Sequence, residues 1–166
     1  MTQINLLVDT EYCIGCHSCE VACKAENNLP GGYNWINVLQ VGPKEVGGKL
    51  KTDYIPVRCR HCANAPCIEA CPVKAITKES NGRVVINQEL CIGCMNCLEA
   101  CPFGAIAFDS GTKTASICDL CLDGVVAAGQ EPACVKACPS KCIYFGEINE
   151  ISGIIREKAA RRIAGY

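Results

Sequence analysis

The chain has 166 residues, 20% of them charged, with a formal net charge of −1 and seventeen cysteines. That length allows one domain or two small ones, and the charge balance carries no basic footprint for nucleic acid. No apolar run approaches the ~20 residues of a membrane span, and the opening MTQINLLVDTEYC has neither a basic stretch followed by a long apolar one nor a twin arginine. The expectation is a mature chain that starts near Met1, in a reducing, cytoplasmic compartment where thiols stay available for metal. A signal-bearing partner could still carry such a chain across a membrane.

In chain order, Ile4–Val8 reads as a strand that leads into a first cysteine motif, and Val21–Asn27 as a brief helix after it. Between Pro30-Gly31-Gly32 and Gly42-Pro43, the stretch WINVLQV reads as a strand between turns, with Gly47-Gly48 a further turn. Residues 54–58 (YIPVR) form the next strand. Ser80-Asn81-Gly82 joins Ala75–Lys78 to Arg83–Ile86 as a hairpin, and Ser110-Gly111 joins Ala105–Asp109 to Lys113–Ile117 as another. Cys142–Ile148 is a last strand. Ile151, Ile154, Ile155, Ala159 and Ile163 have helical spacing, and docking of that helix on its own chain is favoured over docking on a partner.

The cysteines form an internal repeat. Motif three, CIGCMNCLEACP, places Cys91, Cys94, Cys97 and Cys101 at the C-x2-C-x2-C-x3-C-P spacing of bacterial [4Fe–4S] ferredoxins. Motif one is Cys13, Cys16, Cys19 and Cys23. Motif two is Cys59, Cys62, Cys67 and Cys71, with a middle gap of four, and motif four is Cys118, Cys121, Cys134 and Cys138, with a middle gap of twelve. Disulfides fit poorly, since the count is odd and no secretion signal is present. Zinc sites combine two C-x-x-C pairs, or a pair with His, and do not run three cysteines in series before a fourth and a proline. After the fourth cysteine the repeats read PVKAI, PFGAI and PSKCI, so Cys142 stands where Ala75 and Ala105 stand. It is expected to fill a small buried position rather than to ligate.

In a two-cluster unit the fourth cysteine of each motif ligates the other motif's cluster. Motifs two and three, one hairpin apart, form an inner ferredoxin-like unit over residues 51–109. Motifs one and four then pair as an outer unit, residues 1–50 plus 110–150, with 151–166 a helical tail. The expected fold is α+β: two nested ferredoxin-like [4Fe–4S] units with short hairpins and short helices. Cluster one takes Cys13, Cys16, Cys19 and Cys138, and cluster two takes Cys23, Cys118, Cys121 and Cys134. Cluster three takes Cys59, Cys62, Cys67 and Cys101, and cluster four takes Cys71, Cys91, Cys94 and Cys97. The metal-free chain is expected to fold poorly.

Four such motifs, with the gap of four in CRHCANAPCIEACP and the gap of twelve in CDLCLDGVVAAGQEPACVKACP, resemble the four-cluster iron–sulfur subunits of molybdopterin oxidoreductases. Those include electron-transfer subunits of dimethyl sulfoxide reductase and formate dehydrogenase. The resemblance extends to small soluble relatives in hydrogenase–carbon monoxide dehydrogenase systems and in tungsten aldehyde oxidoreductase-type complexes such as class II benzoyl-CoA reductase. It covers residues 1–148 and implies the same nested pairing. Two departures stand out: Lys24 follows Cys23 where the other motifs have proline, and the chain ends soon after motif four.

With four thiolates each, the clusters have no open coordination site and are expected to carry electrons rather than bind substrate. No catalytic residue is found. Oxidised, the sixteen thiolates and four cores add roughly −8 to the net charge, partly offset by Lys24, Arg58, Arg60, Lys136 and Lys141. His17 and His61 sit between ligands and are expected to tune potentials or simply to face solvent, as are Arg58 and Arg60. The leading function is an electron-transfer subunit, not itself an enzyme. It would relay electrons between a catalytic molybdenum- or tungsten-pterin subunit, or a hydrogenase, and a second redox partner. The alternatives are a structural scaffold joining larger subunits and a free polyferredoxin.

Overall fold

The computed structural model describes residues 3–165. Met1 and Thr2 of the expected outer unit, and Tyr166 of the tail, lie outside the described residues. β1 (Ile4–Val8) runs into a loop and α1 (Ser18–Glu26). β2 (Ile36–Val46) and β3 (Lys49–Arg58) follow, then α2 (Pro66–Glu69), β4 (Ile76–Lys78), β5 (Val84–Ile86) and α3 (Asn96–Ala100). β6 (Ala107–Asp109), β7 (Thr114–Ser116), α4 (Ala133–Ala137), β8 (Ile143–Glu147) and α5 (Ile148–Ala164) complete the chain. The architecture is the expected α+β arrangement of short helices and ferredoxin-like hairpins.

Each sheet has two antiparallel strands. β2 pairs with β3, β4 with β5 and β6 with β7, all hairpins. The fourth pair, β1 with β8, joins the two ends of the chain, Ile4 opposite Glu147 and Val8 opposite Ile143. Helices pair in the same sense: α1 packs on α4, and α2 on α3. Apolar side chains gather into two cores. One holds Leu6, Ile36, Val38, Leu120, Val135 and Ile143 among cysteines of motifs one and four. The other holds Ile76, Val84, Ala115 and Ile117 among cysteines of motifs two and three. Residues 50 and 110, where the expected units meet, fall close to the tips of the β2–β3 and β6–β7 hairpins.

The largest differences from the sequence expectation lie in α1, the β2–β3 hairpin and α5. α1 begins three residues early, at Ser18, because left-handed His17 (φ 60°) turns the chain into the helix. β2 does not stop at Gly42-Pro43. Pairing with β3 carries it through a register shift between Val41 and Lys44 to Val46, and Gly47-Gly48 makes the turn. α5 begins at Ile148 instead of Ile151, started by a capping box in which Glu147 and Glu150 each accept the other's backbone N–H. Ile151 alone of its isoleucines is buried, and Ile155 and Ile163 are exposed. Lys158 holds the helix to the body through Asp9 (2.5 Å) and Glu11 (2.9 Å).

Candidate metal centres

All four C-x-x-C pairs share one backbone device. The residue before the second cysteine is left-handed in each: Gly15 (φ 69°), His61 (46°), Gly93 (69°) and Leu120 (62°). This folds each pair back on itself, so both thiols sit on the inside of a tight loop. Two of the four positions need glycine. A Cβ on Gly93 would lie 2.4 Å from the Lys113 carbonyl oxygen, and one on Gly15 would lie 2.4 Å from the Tyr54 ring. A second device follows the last cysteine of motifs two, three and four, where Cys71, Cys101 and Cys138 are followed by proline and then by left-handed Lys74, Gly104 and Lys141. The turn brings a backbone N–H back to the sulfur: Ala75 to Cys71 Sγ at 3.2 Å and Ala105 to Cys101 Sγ at 3.5 Å. In motif one, Lys24 replaces the proline and α1 runs on to Glu26, so Cys23 sits inside a helix.

Two of the four expected sets line recesses of the structure. Cys13, Cys16, Cys19 and Cys138 line one recess, together with Val38, Pro56 and Cys142. Cys71, Cys91, Cys94 and Cys97 line another, together with Ile76, Ile86 and Ala115. Cys23, Cys118, Cys121 and Cys134 are all buried. Burial pushes the Cys23 thiol well up, and the nearby thiols of Cys118, Cys134 and Cys121 push it further. Burial likewise raises Cys67, with Cys101 and Cys62 beside it. Among the described residues, no three His, Cys, Asp or Glu side chains close on a single ion.

The donor chemistry fits an iron–sulfur cluster. The seventeen cysteines are free thiols. Burial lifts Cys19, Cys59 and Cys134 to about 12 and Cys97 and Cys118 to about 11, so these thiols hold their protons until metal displaces them. Backbone N–H groups aimed at sulfur then favour the thiolate. Besides Ala75 and Ala105, Ala115 donates to Cys91 Sγ (3.5 Å) and Leu120 to Cys118 Sγ (3.4 Å). At Cys138, burial raises the thiol, but hydrogen bonds from the Cys142 backbone, the Ser140 hydroxyl and the Cys142 thiol outweigh it and hold Cys138 below its usual value.

Cys142 is 2% exposed, with its Sγ 3.6 Å from Cys138 Sγ. Arg58 and His61 do not face solvent, at 7% and 3% exposure, whereas Arg60 is exposed and stacks on the Phe103 ring at 4.0 Å. His17 is exposed and pairs with Glu20 at 3.1 Å. Lys24 reaches the Tyr33 carbonyl and Asn34, while Lys136 and Lys141 lie on the surface. Sequence reasoning missed the buried Arg83, which binds Glu79 and Asp123 (2.8 and 2.6 Å) and ties the β4–β5 hairpin to the long loop of motif four. It also missed Trp35, whose indole donates to the Ser116 hydroxyl at 2.9 Å. The Arg83–Asp123 and Trp35–Ser116 contacts join residues far apart in sequence, and no motif marks them.

Comparison with known proteins agrees with this chemistry. A family model described as a 4Fe–4S dicluster domain matches residues 50–148, and a second of the same description matches residues 12–75. Between them they span all four motifs, and two dicluster domains give the chain four [4Fe–4S] clusters. The thiosulfate reductase electron transfer subunit of Salmonella typhi is 40% identical over 149 residues, covering 89% of this chain and 78% of that one. One of the polysulfide reductase polypeptides of Wolinella succinogenes is 37% identical over 96% of this chain and 84% of its own length. A putative dimethyl sulfoxide reductase iron–sulfur subunit of Halobacterium salinarum is 35% identical over 90% and 68%. The resemblance seen in the cysteine motifs is met, and the chain belongs to the 4Fe–4S dicluster family of iron–sulfur electron-transfer subunits.

Proposed function

We propose that the chain relays electrons inside a reductase complex, between a catalytic subunit and a second redox partner, and that the sixteen motif cysteines hold the clusters in the four sets named above. When bound, each cluster supplies one-electron carriage. The protein's own contribution is to place, insulate and bias. Left-handed residues aim the thiols, aliphatic walls of Val38, Ile76 and Ile86 keep water away, and N–H groups on sulfur stabilise negative charge.

The observation that carries this reading is where the sets meet the surface. Cys16 and Cys94 are the exposed cysteines, one from the first set and one from the fourth. Cys23, Cys118, Cys121 and Cys134 are buried. Exposed apolar residues surround both openings: Tyr12, Ile14 and Val21 near the first, Leu90, Ile92 and Met95 near the fourth. Two separate apolar openings suit two separate partners. The paired ends β1–β8 and the α1–α4 and α2–α3 packing support an outer unit (1–50 plus 110–150) around an inner one (51–109). We further propose that the catalytic partner is a molybdenum- or tungsten-pterin reductase, since three relatives are named as parts of reductases. Among the described residues no helix is long and apolar enough to cross a membrane. Seventeen free thiols favour a cytoplasmic setting.

The test is anaerobic reconstitution followed by a redox titration read by electron paramagnetic resonance. The expected result is about sixteen iron atoms per chain, as four [4Fe–4S] clusters require, and four reversible one-electron steps. Clusters that load but cannot be cycled would replace the relay with a scaffold.

A further inference from the structure

Among the described residues, two buried side-chain nitrogens have no hydrogen-bond partner, Arg58 Nε and His61 Nε2, and both lie within two residues of Cys59. Arg58 ends β3, opposite Ile36, and its Nη1 donates to the Cys59 carbonyl. Among the described residues it forms no ion pair with Asp or Glu. A buried guanidinium without a counter-charge is strongly unfavourable, and arginine does not shed its charge by deprotonating. Its neighbour Cys59 packs against the core that holds Cys118 and Cys134, so sulfurs of two sets lie around it, and as cluster ligands all three would be negative. Cys59 packs against both apolar cores, so this is where the two halves of the site meet. His61 is different. Its Nδ1 accepts the Val84 N–H at 3.0 Å and lies 3.9 Å from Cys59 Sγ, which ties it to one set only.

We infer that Arg58 is the shared counter-charge of two neighbouring cluster sites, Cys23–Cys118–Cys121–Cys134 and Cys59–Cys62–Cys67–Cys101, and raises the potential of both. The inference rests on the relay reading above. When an electron crosses between the two sites, one site loses one electron and the other gains it; no bond forms or breaks and no proton moves. A fixed positive charge close to both sites stabilises the added electron on either side. The two potentials therefore rise together. Arg58 acts here as a positioning charge and touches no substrate.

The experiment is a redox titration of the reconstituted full chain, followed by electron paramagnetic resonance, for wild type, Arg58→Gln, Arg58→Lys and Arg60→Gln. Arg58→Gln is expected to lower two of the four midpoints, each by tenfold or more in its reduction equilibrium constant, about 59 mV for one electron. Arg58→Lys keeps the charge, and Arg60→Gln alters only an exposed residue; each should leave all four midpoints within threefold. Movement of one midpoint alone, of all four alike, or of none would overturn the inference, as would a lysine variant that behaves like the glutamine one. A second measurement needs no variant: wild-type protein carrying arginine labelled with 15N in the guanidinium should show nitrogen coupling on two reduced-cluster signals. Coupling on one or none would overturn the inference even if Arg58→Gln fails to load. Wild-type clusters that do not cycle would overturn the relay itself. Four that cycle with midpoints indifferent to Arg58 would overturn only the shared counter-charge.

Discussion

Gly15 and Gly93 occupy the same place in two copies of one motif, with the same φ of 69°, yet their surroundings differ. Replacing either with alanine costs about 1–2 kcal/mol for a left-handed β-carbon. The new Cβ then meets an obstacle at 2.4 Å in both cases. For Gly15 the obstacle is the ring of half-buried Tyr54, a side chain that can swing aside. For Gly93 it is the Lys113 carbonyl oxygen, part of the β6–β7 turn. Restoring ordinary contact there means moving backbone by about 1 Å, in the range of 1–3 kcal/mol for overpacking. The displacement would also pull on Ala115, whose N–H donates to Cys91 Sγ. Gly93→Ala should therefore lose its cluster to a chelator about tenfold faster than Gly15→Ala, or about 1.4 kcal/mol, read as bleaching of the cluster absorbance. Adding Tyr54→Ala should recover most of the steric part of the Gly15→Ala loss. Equal bleaching rates, or no recovery on removing Tyr54, would refute the argument from neighbours.

Three further outcomes are expected. Arg83→Ala, which leaves Glu79 and Asp123 without their partner, should destabilise the holoprotein by about 1–3 kcal/mol, less than a fully buried pair because both carboxylates reach solvent. Arg83 holds Glu79 below its usual 4.5, so this contribution is present above that value and is lost as pH falls through the lowered one; denaturation midpoints of wild type and variant should converge below about pH 4.5. Cys142→Ala should keep full iron and sulfide content with a loss of about 1 kcal/mol or less, since alanine already serves at positions 75 and 105, whereas Cys138→Ala should lose about a quarter of the iron, one cluster in four. Lys158→Ala combined with Arg162→Ala should free α5 from Asp9 and Glu11, so that limited proteolysis removes the tail before it cuts the body.

How far the sequence reveals the site follows from what each feature depends on. Ligand spacing is local, so the four motifs could be read directly, and aligning them against one another gave Cys142 its small buried position. The burial of Arg58 could not be read. Val57 and Arg58 follow one another on a strand, and a period of two would put the apolar one inside. The fold instead buries Arg58 on the face it shares with Pro56, because its balancing charge belongs to sulfurs from other motifs. The β2–β3 hairpin was underestimated for a related reason. Gly42-Pro43 carries a turn signal, but the partner strand Lys49–Arg58 supplies hydrogen bonds that absorb it as a bulge. Arg83 illustrates the remaining limit, since nothing local announces that a hairpin residue will reach Asp123 forty positions later.

Joining β1 to β8 has a consequence in time as well as in space. A ribosome releases Cys13, Cys16 and Cys19 early, but Cys138, which shares their recess, follows about 120 residues later. At ordinary elongation rates that interval is on the order of 10 s. The cysteines between 59 and 101 emerge within a much shorter window. Under the proposed pairing, the inner half of the molecule can therefore mature while the nascent chain is still growing. The outer half must keep three thiols waiting, exposed to stray metal and oxidants, until synthesis is almost over. Cells making this protein have a reason to hold its N-terminal loop in safe custody, and a shortage of iron or a burst of oxygen should damage the outer half first.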